Sequence, residues 1–254
     1  MKLFVVVVIF ALHGCANEDS LTPELKVLRG HWVSVRFIQD VQRTKSPHTA
    51  WFSEPPTLSF SIGVAQDGSG YELARTNFHE GQSSRILGLE RAKNKGAFRL
   101  SIDAPNLSEG IDYVQLRVER GLFGQVTHLN AANLWDGDPE QQYLRLPVTL
   151  AQYIDRIILA GTYKDSAGAT YSFSESGEAR WPDQSFQYEI SLDPAGAGCD
   201  YFEYPDRNGV GGRKRYGYRW RDQRLELYNI NYVDTEKCTI CCDPEPFATL
   251  HQSN

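Results

Sequence analysis

Apolar and polar positions alternate with period two through much of the chain. Leu58, Phe60 and Ile62 do so, as do Phe98, Leu100 and Ile102, and then Val114, Leu116 and Val118. The second half repeats the style in Tyr171/Phe173, Phe186/Tyr188/Ile190, Tyr216/Tyr218/Trp220 and Leu225/Leu227. Alternation of this kind predicts half-buried antiparallel strands, because successive side chains point to opposite faces of a sheet. The run Val33, Val35, Phe37 reads the same way, as a strand opening at His31-Trp32. Gln66-Asp67-Gly68-Ser69-Gly70 and Lys93-Asn94-Lys95-Gly96 punctuate the strands, and Asp222-Gln223 sits at a turn between two of them.

Two segments break the alternation with a helical period. Thr22-Pro23-Glu24 opens a short helix, with Thr as N-cap and Pro at the first helical position; Leu25 and Leu28 form its apolar face and Gly30 ends it. Thr149 caps a second helix, whose apolar face is Leu150, Tyr153, Ile154, Ile157 and Ile158, and Gly161 ends it before Thr162-Tyr163. Each unit is helix, then Gly-x-aromatic, then strand, so the chain states one plan twice. The expected fold is all-β, two antiparallel barrels in tandem, each preceded by a short helix. Residues 21–147 would form the first domain and 148–254 the second.

Gly30-His31-Trp32 after a helical turn resembles the Gly-x-Trp opening of lipocalins and related calycin barrels. Leu159-Ala160-Gly161-Thr162-Tyr163, running on to Tyr171-Ser172-Phe173 and Gly177, is similar with Tyr in place of Trp. The resemblance implies that Trp32 and Tyr163, with Gly30 and Gly161, close the barrel floors while a ligand enters at the other end. The family's Thr-Asp-Tyr motif and its late Arg over the Trp have no assigned place in this sequence.

Upstream of the barrels, one Lys and an apolar run from Leu3 to Leu12 lead into His13-Gly14-Cys15. This run is too short to span a bilayer and has the build of a secretory leader. Its Leu-x-Gly-Cys ending resembles a bacterial lipobox, which implies removal of residues 1–14, acylation of Cys15, and a polar tether over 15–20. The implied address is the cell envelope, anchored by lipid; Ala16 after the Cys leans towards the outer membrane.

The chain carries a formal charge of −6. Loss of Lys2 with the leader makes it −7, which argues against nucleic acid as a partner. Of the five cysteines, Cys199, Cys238, Cys241 and Cys242 remain beyond Cys15, and outside the cytoplasm an even number reads as disulfides. Ties from the Cys238/Cys241/Cys242 cluster to Cys199 are expected. The alternatives are a vicinal Cys241–Cys242 bond and a thiolate zinc site using the Cys-x-x-Cys spacing.

Candidate ligand-lining side chains are Tyr201, Tyr204, Tyr216, Tyr218 and Trp220, aromatics with polar handles; their structural alternative is a core filling. His31, His48, His79 and His128, with Glu80 or Asp136, lack metal-ligand spacing, so no metal or cofactor is expected. Asp136-Gly137-Asp138-Pro139-Glu140 reads as a solvated turn rather than a calcium loop. Gly209-Val210-Gly211-Gly212-Arg213-Lys214 lacks the Ser or Thr of a phosphate loop. No nucleophile elbow or zinc-protease helix is present, and Phe78-His79-Glu80-Gly81 is the most enzyme-like string, so no catalytic residue is assigned. The functional expectation is an envelope lipoprotein that holds a small, partly apolar ligand in a barrel. The alternative is a scaffold with filled barrels that binds a protein partner.

Overall fold

Two antiparallel barrels follow one another in a computed structural model. It describes residues 23–51, 57–68, 70–77, 81–94, 96–103, 113–120, 125–135, 138–192, 198–205, 213–234 and 239–253, with backbone alone at 120 and 231–241. The lipobox with Cys15, the His79-Glu80 pair, Asp136, the 209–212 glycines and Cys238 lie outside these residues.

The first barrel opens with helix α1 (Pro23–Leu28) and strand β1 (Gly30–Ser34). Helices α2 (Val35–Thr44) and α3 (Pro47–Trp51) precede seven further strands: β2 (Ser59–Val64), β3 (Tyr71–Thr76), β4 (Gly81–Arg91), β5 (Ala97–Asp103), β6 (Tyr113–Arg120), β7 (Val126–Ala132) and β8 (Gln141–Leu146). Each strand pairs with the next, and β8 returns to β1 through Trp32 opposite Arg145, closing the ring. The interior is apolar: Trp32, Phe60, Ile62, Leu73, Leu100, Val114, Leu116, Leu129 and Tyr143 are all buried, and Leu25 and Leu28 of α1 join them at one end.

Helix α4 (Leu150–Ile158) leads into the second barrel: β9 (Gly161–Lys164), β10 (Thr170–Phe173), β11 (Glu178–Arg180), β12 (Ser185–Gln187), β13 (Glu189–Ile190), β14 (Asp200–Pro205), β15 (Arg213–Arg221), β16 (Arg224–Asp234), β17 (Thr239–Cys242) and β18 (Ala248–Gln252). Its path of nine strands runs from β12 round to β13, with β17 paired to β16 off that path. Only Tyr188 separates β12 from β13, so the two edges are one strand bent at a corner. Counted as one, they give the second barrel the same eight consecutive positions as the first, with β18 back on β9 where β8 is back on β1. Asp222 and Gln223, both with positive φ, make the tight turn between β15 and β16 as expected.

One expected strand is corrected. The alternation Val33, Val35, Phe37 ends as strand at Ser34, whose side chain accepts from the Phe37 backbone N–H and starts α2. Phe37, Ile38 and Val41 then share a helical face rather than a strand face. That face packs with Val33, Leu144 and Leu146 of the first barrel's outer wall and with Ile154 and Ile158 of α4. Lys45 donates from Nζ to the Ile157 carbonyl at 2.5 Å, and the His48 N–H donates to Asp200 at 3.0 Å. The helical connection between β1 and β2 thus joins the two barrels.

Candidate functional site

The floors of the two barrels are built alike. Trp32 Nε1 donates to the Leu28 carbonyl at 2.9 Å, and Tyr163 Oη donates to the Leu159 carbonyl at 2.8 Å, each reaching back four residues to the end of the preceding helix. Gly30 and Gly161 make the intervening bend with φ of 137° and 153°, a region that disfavours a Cβ. A Cβ would also meet Arg145 Nε at the first and the Tyr163 hydroxyl at the second, both at 3.0 Å. In the first floor the Arg145 guanidinium lies 5.7 Å from the Trp32 ring and donates to the Arg29 carbonyl. In the second, the residue opposite Tyr163 on β18 is Gln252. Burial pushes the Tyr163 hydroxyl up to about 12.

At the other end of the first barrel, where β1 leaves for α2, the interior turns polar. Strand register places Phe60, Arg75 and Gln82 side by side on the inner face. Arg75 is only 1% exposed. Its Nη2 donates to Gln82 Oε1 at 2.9 Å and Ser84 Oγ at 2.7 Å, and Nη1 to the Leu134 carbonyl. Trp135 and Asp138, between β7 and β8, are tied to each other beside it: the Trp135 N–H donates to Asp138 Oδ2 at 3.1 Å, and the Asp138 N–H to the Trp135 carbonyl at 3.0 Å. The Trp135 ring comes to rest 5.2 Å from the Arg75 guanidinium. Asp138, 4% exposed, also accepts the Thr57 hydroxyl on Oδ2 at 2.5 Å.

Three buried polar atoms of this set have no hydrogen-bond partner: Arg75 Nε, Trp135 Nε1 and Asp138 Oδ1. Buried polar groups are nearly always paired; among the described residues the second barrel also leaves Trp181 Nε1, Tyr218 Oη and Trp220 Nε1 unpaired, but only at this mouth do a guanidinium and a carboxylate share the lack. Burial holds the Asp138 carboxyl above and the Arg75 guanidinium below their usual ranges, while attraction between the two opposes both shifts. The unpaired atoms are two N–H donors and one carboxylate oxygen, a set whose partner must both accept and donate.

The second barrel is filled differently. Of the five aromatics singled out from sequence, Tyr204, Tyr216, Tyr218 and Trp220 belong to its core or pack against it, together with Phe173, Trp181, Phe186, Tyr188 and Phe202. Tyr204 stacks on Phe186 at 4.3 Å and on Tyr216 at 5.6 Å, and Trp181 meets Tyr216 at 4.9 Å. Tyr201 stands apart, one register step from the inner face, with Arg215 5.7 Å from its ring. At the base Asp155 of α4 accepts the Ile190 N–H at 3.2 Å and so anchors the bent strand. Burial drives its carboxyl up to about 7, helped by Glu189.

Cys199, just ahead of β14, is bonded to Cys242 of β17. This excludes a Cys241–Cys242 bond and removes both sulfurs as zinc thiolates. The bridge crosses β15 at Gly217, where a Cβ would come within 1.9 Å of Cys242 Sγ, so the glycine is required by space rather than by φ. Among the described residues, no three metal-ligating side chains converge.

Sequence reading missed the Arg75 set. Asp138 lies in the segment whose sequence reads as a solvated turn, and no motif in the local sequence sets Arg75 apart from the other cations. The available signal is its phase: Leu73 and Arg75 share a face, so a buried Leu marks the Arg as inward. Compared with known protein families, curated proteins and solved structures, the chain shows no match.

Proposed function

We propose that the chain is a lipid-anchored protein of the bacterial envelope whose first barrel holds a small, partly apolar ligand beneath its mouth, while the second is a filled structural companion. The observation that carries this is the set formed by buried Arg75 and Asp138 with partly buried Trp135, each with one buried polar atom left unpaired. The Leu-x-Gly-Cys ending at Cys15 supports the anchor, and two acyl chains or more would make attachment stable. The placing of Arg145 against Trp32 adds to the lipocalin resemblance, since a late arginine over the floor tryptophan belongs to that family.

A second reading has its own support. Two surface grooves, one of about 270 Å³ along β1–β4 and one of about 760 Å³ between α2, α4 and the second floor, open away from the barrel interiors. Together with a second barrel filled by its own side chains, they suit a scaffold that meets a protein partner.

Native mass spectrometry of the chain from Ala16 onward, purified from an oxidising compartment, separates the two. A co-purifying small molecule that is lost in Arg75→Met supports the ligand reading; a clean apo mass together with a co-purifying envelope protein supports the scaffold. Acyl labelling that disappears in Cys15→Ala tests the anchor.

A further inference from the structure

We infer that the first barrel's ligand presents an uncharged head group that both donates and accepts, a hydroxyl or a primary carboxamide, to Arg75, Trp135 and Asp138. The inference rests on the ligand-binding reading above and specifies its chemistry.

The argument begins with what Arg75 has left to give. A carboxylate is best recognised by two parallel N–H groups of one guanidinium fork. Here both terminal nitrogens are engaged, Nη1 by the Leu134 carbonyl and Nη2 by Gln82 and Ser84, which leaves Nε as the free nitrogen. The second free donor, Trp135 Nε1, is uncharged, and Oδ1 of Asp138, whose other oxygen accepts the Trp135 backbone N–H, asks for a proton donor that a carboxylate cannot supply.

Charge balance points the same way. Arg75 and Asp138 are opposite, buried and mutually attracting, so the site is neutral as it stands. An anionic head would add a second negative charge next to Asp138, and an ammonium a second positive charge next to Arg75; either would be an uncompensated charge taken out of water. A hydroxyl accepts from Nε or Nε1 and donates to Oδ1. A carboxamide does the same with an oxygen and an NH₂ group. Both complete the set without changing its charge.

The test uses four probes that share one ring and differ in the head: benzyl alcohol, benzamide, benzoate and benzylammonium. They are titrated into ¹⁵N-labelled chain from Ala16 onward, which keeps both barrels whole, and the indole N–H signal of Trp135, assigned with Trp135→Phe, is followed. The expected result is that the two neutral probes bind at least about tenfold more tightly than either ion and displace the Trp135 indole signal. Benzoate or benzylammonium binding as well as the neutral pair, or binding that leaves this signal in place, overturns the inference while leaving the ligand reading intact. Failure of all four probes on folded protein, with a clean apo mass, overturns both.

A charge exchange supplies a readout that a merely structural role would not move. In Asp138→Asn the site becomes net positive, and the ratio of benzoate to benzamide affinity should rise about tenfold over the parent. An unchanged ratio in a variant that keeps the parent's spectrum also counts against the assignment. If that variant does not fold, the four-probe series on the parent still decides.

Discussion

The two barrels are walled alike and differ in what fills them. Both run through eight strand positions in order, both are plugged by a helix, and both tie a floor aromatic to a carbonyl four residues back. The second is packed with aromatic rings, some edge to face and some stacked, and its unpaired buried polar atoms among the described residues are two indole N–H groups and one tyrosine hydroxyl. The first carries a buried ion set at its mouth, where the second carries Trp181, Phe186 and Tyr204. The comparison teaches that topology is set by the alternation and the turns, while the inner-face residues are free to specialise. A barrel intended only to be stable would not place an arginine and an aspartate inside, since apolar residues of similar size are often as good or better.

The largest effect should come from breaking the polar filling on one side. Arg75→Met leaves Asp138 buried with its charge uncompensated, and chemical denaturation should report a loss of about 3–5 kcal/mol. Adding Asp138→Asn should recover most of it, because the uncompensated charge goes too. The matching test in the second barrel concerns its covalent tie: Cys199→Ser with Cys242→Ser should lower stability by about 2–4 kcal/mol, and the parent measured in reductant should fall to the same midpoint.

Asp155 sharpens the contrast through pH. Its folded value, about 7, lies above that of an unfolded aspartate, about 3.9. Between those values the folded state keeps a proton that the unfolded state has lost. The stability owed to this residue is therefore complete below the lower value and declines as pH rises to the upper one. Asp155→Asn keeps an oxygen for the Ile190 N–H and has no charge to bury, so urea midpoints from pH 4 to 8 should decline less steeply than the parent's. Asp138 and Asp200, also raised by burial, keep some slope in both.

The smallest effects belong to the floors. Tyr163→Phe removes one buried hydrogen bond and should lower stability by about 1 kcal/mol. Arg145→Gln, which gives the first floor the second's residue, should lose about 0.5–1 kcal/mol of cation–π attraction. A larger loss at either would mean that the floors do more than close the ends.

Much of the wall was legible because period-two patterns and glycine turns are local. Leu58-Phe60-Ile62 became β2, Phe98-Leu100-Ile102 β5 and Val114-Leu116-Val118 β6. Thr149 caps α4 as its sequence suggests, accepting the Gln152 N–H at 3.3 Å. The strands left unread, β4 and β7 among them, have inner faces interrupted by Ser84 or Ala131, and no local alternation marks them. At Ser34 a cap competed with the strand pattern and won. The mouth set was illegible for another reason: Arg75 and Asp138 are brought together only by closure of the ring, and that register is a property of all eight strands at once.

The placing of the closing strands also sets an order in time. The first ring is complete once β8 exists, at Leu146, whereas the second waits for β18, which ends at Gln252. As the chain emerges, the first barrel can shut and present α4 before any of the second wall has been made, and domains do generally fold in the order of synthesis. Premature termination or proteolysis between those points would leave a whole first barrel bearing the aromatic strands of an open second one, a fragment with an adhesive edge.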